Sequence, residues 1–270
     1  MENDKSESAR EIINGLEYHW LKPWEEIEKR KVILTGANEP IIKLLAESPL
    51  PTEYGDWTYL VFGDYTSGEI HEVIVYGDME KGSLGNGEDV ILRVHSACKS
   101  SELFHAINCE CREELEKAMD LIKKKGRGIV IYLMQEGGGA GLKAKVDVYH
   151  ELFEWKNNKI KLAIDPETGE SFSIFKLYQK LGYKQDSRSL AVAVAILKSL
   201  GIKSVKLLTN NPKKVQDLVD GGIKTEPLGL HIKPANEMVA RILKAKAEDR
   251  GHSINKKHIR VENKNGRKKK

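Results

Sequence analysis

All three cysteines of this chain fall in one short window, as Cys98, Cys109 and Cys111. Any fold the chain adopts must accommodate three thiols brought together by a single strand-to-helix connection. A Cys-x-Cys pair rarely closes a disulfide on itself, so a disulfide here would leave one odd thiol. A structural zinc site closes four protein ligands around the metal, whereas a catalytic one keeps three and leaves a position for water. Three thiolates with no fourth cysteine point to a metal with an open position. Completion of a closed structural site by His95 or a remote histidine, a disulfide plus a free thiol, and three unrelated buried thiols are the readings that spacing alone leaves open.

The 270 residues suffice for one large domain or two small ones. Met1 to Ser8 is polar and charged, with no apolar signal segment, and no stretch approaches the roughly 18 apolar residues of a membrane span. With few cysteines and no secretory signal, a reducing, cytoplasmic setting is expected. The formal net charge is +4, yet a basic surplus larger than that sits between His252 and Lys270, ending Gly-Arg-Lys-Lys-Lys. The rest of the chain is therefore slightly acidic. The tail reads as disordered and solvated; nucleic-acid contact through its lysines is the weaker reading, because no aromatic residues are interleaved for base stacking.

Hydrophobic periodicity predicts one compact α+β domain, a mixed or antiparallel sheet flanked by helices. Residues 1–44 read as a partly helical extension split at Pro23, 45–254 as the domain, and 255–270 as the basic tail. Strands are expected at Trp57–Phe62, His71–Tyr76, Val90–Val94, Ile129–Met134 and Val205–Leu208. Helices are expected over 112–125, with Leu115, Ala118, Met119 and Ile122 on one face, near Leu142–Leu152, over Ser187–Leu200 with Asp186 as N-cap and Gly201 as stop, and from Pro212 onward. An inserted hairpin, about 155–176, is expected to turn at Asp165–Glu170.

Two strand-to-helix turns carry chemistry. In Thr209-Asn210-Asn211-Pro212-Lys213-Lys214, Asn211 can cap and Pro212 suits the first helical position, leaving backbone N–H groups and two lysines for an anion. Gln135-Glu136-Gly137-Gly138-Gly139-Ala140-Gly141 is a poor dinucleotide fingerprint because Glu136 would oppose a phosphate; it better suits close approach of backbone and carboxylate to a ligand. Asp186-Ser187-Arg188 sets a carboxylate beside a guanidinium. Alone, each of these also reads as an ordinary turn or cap.

Taken in order, these pieces resemble the GTP cyclohydrolase II family from about Leu45 to Ile254. The resemblance is carried by Leu50-Pro51-Thr52-Glu53-Tyr54-Gly55-Asp56-Trp57, Val75-Tyr76-Gly77-Asp78, Arg93-Val94-His95-Ser96-x-Cys98 with Cys109-x-Cys111, Gln135-Glu136-Gly137, Tyr149, Asp186-x-Arg188, Leu207–Lys214 and Pro234-x-Asn236-Glu237. It implies zinc-dependent opening of the guanine imidazole ring of GTP at the start of riboflavin synthesis, with loss of formate and pyrophosphate, in a homodimer. It implies one Zn²⁺ per subunit on Cys98, Cys109 and Cys111, with Mg²⁺ on the nucleotide phosphates. Tyr149, Asp186 and Arg188 take the catalytic positions, and Arg93, Val94, His95, Ser96, Glu136, Gly137, Thr209 and Lys214 the substrate-binding ones. The chain departs from the family pattern at Ala97 (usually Glu), Glu114 (usually Gln) and Gly138 (usually Arg), and is longer between Tyr149 and Asp186, where Ile174 stands nearest a usual threonine. Arg112 and the inserted segment are the neighbours from which replacement contacts are expected. The same ring opening on another purine nucleotide, or without pyrophosphate release, and a catalytically silent zinc-stabilised binding module are the alternatives.

Overall fold

The structure, a computed structural model, describes the backbone of residues 32 and 33 and residues 40–77, 79, 84–169 and 171–254. Most of the expected extension, Asp78, Glu170 and the tail from 255 lie outside these residues. Ten strands are described: β1 (Val32–Ile33), β2 (Ile42–Thr52), β3 (Gly55–Asp64), β4 (Ile70–Tyr76), β5 (Val90–Ser96), β6 (Gly128–Leu133), β7 (Phe153–Lys156), β8 (Lys159–Leu162), β9 (Ser204–Leu208) and β10 (Lys224–Leu228). Helices are α1 (Lys99–Glu102), α2 (Cys111–Lys125), α3 (Gly141–Leu152), α4 (Ile174–Lys180), α5 (Ala191–Ser199), α6 (Pro212–Asp220) and α7 (Glu237–Arg250).

Eight strands form one sheet in the order β1-β2-β3-β4-β6-β5-β9-β10. The half from β1 to β6 is antiparallel, and β6, β5, β9 and β10 run parallel. The fold is thus the expected α+β domain with a mixed sheet. Strand alternation divides the core: Val90, Leu92 and Val94 of β5 join Ile129, Ile131 and Leu133 of β6 against the apolar helix α5, while Ile91 and Val130 face Ala118 and Ile122 of α2. Arg93 and His95 therefore share the α2 face of β5 with Ile91. A third cluster, Ala144, Val148, Leu152, Leu177 and Tyr178, packs α3 on α4. No described helix is long and apolar enough to cross a membrane.

Several local expectations are corrected. Ile42–Leu44, read as part of the extension, open the long strand β2, whose pairing with β3 overrides its charged, Pro-containing sequence. The hairpin turns at Asn157-Asn158, both at positive φ, and joins β7 to β8; asparagine tolerates that conformation, so the type I′ position lies earlier than expected. The Asp165–Gly169 turn closes only an Ile164–Ser171 bridge, and Ile174 begins α4. Helix α5 starts at Ala191, not Ser187: Asp186 Oδ1 accepts the Arg188 amide as a cap would, but residues 187–190 remain non-helical. Its end is as read, with Gly201 at φ +71°.

Candidate functional site

The carboxyl ends of β5, β6 and β9 open onto one cavity, the usual place for a ligand outside parallel strands. β5 delivers Cys98 just past its end, and Cys111 begins α2 with Cys109 two residues earlier. The three Sγ atoms lie within 4.8 Å of one another, with Cys98 and Cys109 separated by 3.6 Å. That is far beyond a disulfide bond of ~2.05 Å, and it matches the ~3.8 Å edge of a tetrahedron with ~2.3 Å Zn–S bonds. Among the described residues no histidine, carboxylate or fourth cysteine joins the group. The thiols share protons unequally: hydrogen bonding from Cys109 and Cys111 pulls Cys98 far down, with Lys145 adding to the pull, while Cys111 is pushed up. The donor set fits a thiophilic ion with one protein-free position.

His95 is excluded as a ligand by its partners. Arg93 donates to His95 Nδ1 (3.4 Å from Nε), so its other nitrogen carries the proton and donates to Glu102 Oε1 at 2.7 Å. Burial keeps this ring neutral despite Glu102. Glu102 also accepts from Tyr132 and from the Cys98 amide. Arg93 is buried, donating to Leu208 O (3.0 Å) and to Glu114 Oε2 (2.5 Å). Burial opposes ionisation of Glu114, yet Arg93, Lys246 and Lys214 hold it at about 2. Arg112 lies outside, beside Glu116.

The glycine loop forms a tight turn with Gly137, Gly138 and Gly139 all at positive φ. A Cβ on Gly139 would stand 2.7 Å from Arg188 N, so this loop seats the arginine segment. Glu136 is buried and receives the Lys99 amide (2.9 Å) and Lys145 Nζ (2.7 Å). Tyr149, one turn along α3 from Lys145, lines the cavity; burial pushes its phenol well up, with Lys145 opposing.

Cations converge across the cavity. Arg188 is clamped by both oxygens of Asp186 (2.8 and 2.6 Å), and Arg250 reaches the same carboxylate at 3.1 Å while stacking on Phe175. Burial opposes ionisation of Asp186, but the two arginines bring it to about 2. Lys214 is buried and donates to Val94 O (2.8 Å); burial first, then Arg93 and Arg188, pushes it well down. Lys246 of α7 reaches Glu110, between the two paired cysteines.

Of the residues expected from sequence, Arg93, His95, Ser96, Cys98, Cys109, Cys111, Glu136, Gly137, Tyr149, Arg188, Thr209 and Lys214 all line this cavity, as do Ala97, Glu114, Gly138 and Ile174. Two do not. Val94 points into the opposite core and supplies only its carbonyl, and Asp186 lies behind Arg188. The anion turn is also corrected: Asn211 N is taken by Thr209 Oγ1, Lys213 N by Asn211 Oδ1 and Lys214 N by Asn211 O, while Lys213 pairs outside with Asp217. Side chains, not free amides, make this wall basic. Sequence reading missed Glu102, Lys145, Lys246, Arg250 and His252; only Lys145 carried a signal, its spacing of one helical turn from Tyr149.

A family model described as GTP cyclohydrolase II matches residues 43–227. The "Riboflavin biosynthesis protein RibBA" of Chlorobium phaeovibrioides is 32% identical over 215 residues, 79% of this chain and 47% of that protein. Its counterpart in Phocaeicola vulgatus is 34% identical over 80% of this chain and 48% of its own length. The chain thus spans about half the length of these relatives. It covers 99% of the "GTP cyclohydrolase-2" of Shigella boydii serotype 18, at 34% identity over 218 residues.

Proposed function

Because the chain belongs to the GTP cyclohydrolase II family, we propose that it is a zinc hydrolase that opens the imidazole ring of GTP in riboflavin biosynthesis. The products would be formate, pyrophosphate and 2,5-diamino-6-ribosylamino-4(3H)-pyrimidinone 5′-phosphate. The observation that carries this reading is one cavity lined both by a three-thiol cluster, with no fourth protein ligand among the described residues, and by the cationic side chains Arg188 and Lys214. Bound by Cys98, Cys109 and Cys111, zinc would supply Lewis-acid activation of water at neutral pH. Water adds at C8, the ring opens to a formamide, and a second water releases formate.

The chain's own groups divide the remaining work. The Tyr149 phenol, held protonated by burial, is suited to donate a hydrogen bond beside the thiolates rather than to act as a base. Arg188, Lys214 and the Thr209 hydroxyl suit the phosphates, which would bring Mg²⁺ with them. A polyanion entering among these cations would favour the charged form of Lys214 against its burial. Asp186, at about 2 and saturated by two arginines, is no acceptor for a guanidinium proton. Arg188 therefore acts as a fixed positive charge at the α-phosphate, not as a nucleophile, and a third water cleaves the α–β linkage. A cytoplasmic homodimer is the expected form.

The test is to incubate zinc-loaded protein with GTP and Mg²⁺ and assay formate and pyrophosphate separately. Both products are expected, and Cys109→Ser should abolish formate release. Formate alone, or formate only from another purine nucleotide, would replace this reading by a related ring opening. Neither product from any purine nucleotide, with zinc bound, would refute it in favour of a silent binding module.

A further inference from the structure

Lys145 is a buried ammonium that neither the thiol ligands nor the cationic wall explains. It lies on α3 with its side chain 7% exposed. Nζ donates to Glu136 Oε1 at 2.7 Å and to Cys98 Sγ at 3.2 Å. Glu136 is itself fixed, because its Oε2 accepts from the Lys99 amide and Oε1 from the Gly137 amide at 3.2 Å. The carboxylate thus aims the ammonium at a sulfur. A purely structural Lys–Glu pair does not require that third contact, and burying an ammonium is costly unless each partner is used.

We propose that Lys145 is a positioning residue that tunes the metal site by hydrogen bonding to the Cys98 thiolate, an inference that rests on the zinc reading above. Three thiolates carry one more negative charge than Zn²⁺ can balance, and such a shell weakens the metal as a Lewis acid. A charged donor on one sulfur withdraws electron density from it, offsets the surplus negative charge and holds that sulfur in place for the metal. The glycine loop supplies Glu136 to hold that donor, so the loop acts on the metal through Lys145. Substrate need not touch Lys145 for its loss to be felt.

The experiment uses the full chain loaded with Co²⁺ and, separately, with Zn²⁺, comparing wild type with Lys145→Met, Lys145→Gln and Lys145→Arg. A sulfur-to-cobalt charge-transfer band reports the thiolate donors directly, without turnover. Lys145→Met should move that band to longer wavelength, because an unprotected thiolate is easier to oxidise. In chelator competition it should weaken Zn²⁺ binding about 10–100-fold, the usual effect of losing an outer partner. Lys145→Gln, which keeps a neutral donor and is the fallback where methionine impairs folding, should lie between. Lys145→Arg should restore most of both properties. A band and an affinity unchanged in folded Lys145→Met or Lys145→Gln would overturn the role of Lys145 while leaving the metal site standing. No charge-transfer band in the wild type would overturn the metal reading, and with it this one.

Discussion

Replacing Lys246 by methionine should destabilise the protein in a way that depends steeply on pH. The ammonium of Lys246 meets Glu110, whose side chain is only 1% exposed and whose Oε2 has no hydrogen-bond partner among the described residues. Burial pushes the Glu110 carboxyl up, and Lys246 opposes it. Methionine keeps the methylene packing but leaves an unpaired buried carboxylate, a loss of about 3–5 kcal/mol when it must stay charged. The carboxyl can escape by protonating, and this caps the loss. A group ionised in the unfolded chain above pH ~4.3 but neutral in the folded one costs about 1.4 kcal/mol per pH unit. The deficit is therefore capped at about 3.7 kcal/mol at pH 7 and about 1.6 kcal/mol at pH 5.5, less whatever part the raised wild-type carboxyl already bears. The sign is that of a raised folded pKa in an acid, with stability lost as pH rises. His252, held near 3 by burial and then by Lys246, shifts in the same direction, because removing Lys246 relieves its repulsion at low pH. Urea unfolding at a series of pH values, with metal concentration fixed, measures the difference. Glu110→Gln in the Lys246→Met background should recover more than half of the pH 7 deficit. A deficit equal at pH 5.5 and 7.5, or no recovery in the double variant, would refute the argument.

Asp186→Asn should weaken the protein by about 1–2.5 kcal/mol at pH 7, the upper value being the full pKa difference and the lower allowing for the one-fifth solvent exposure of the carboxylate. Because the folded pKa is depressed, that difference should vanish as pH falls from 4 toward 2, as read by denaturant midpoints. Gly139→Ala should cost about 1–3 kcal/mol through its φ of +84° and should displace Arg188. The product assay should then show reduced pyrophosphate release at unchanged zinc content.

The legible parts of this chain were those with local causes. Strands β3 to β6 and β9 follow from apolar alternation or runs, and α6 begins where Asn211 and Pro212 say it should. The cysteine spacing reads as a metal site because its chemistry lies within one short segment. What escaped is what tertiary contact decides. β2 is a strand because β3 pairs with it, and the Asp186 carboxylate holds the guanidinium groups of Arg188 and Arg250, the latter distant in sequence, without starting a helix there. Arg250 and Lys246 carry no signal in the sequence and join the site only because α7 packs on the cavity. The Val94 side chain faces away from the cavity for a simple reason: a contiguous motif is not a contiguous surface, because alternate residues of a strand face opposite ways.

The helix α7 is the element that makes two separate chemical groups into one site. Asn236, its N-cap, donates from Nδ2 to Ile107 O in the loop between the cysteines, and Lys246 ties to Glu110 inside the cysteine pair. One turn further on, Arg250 binds Gln185 O and the Asp186 carboxylate that orients Arg188. Beyond the helix, Ser253 N donates to Asn210 O beside Thr209. The cysteine loop, the arginine and the lysine turn come from different parts of the chain and are joined by α7. A nucleotide places its base and its α-phosphate a fixed ribose apart, so one that reacts at both must find both centres at a matched spacing. In the proposed reaction α7 would fix that spacing through these contacts, and a perturbation at Lys246 should reach the arginine as well as the thiols.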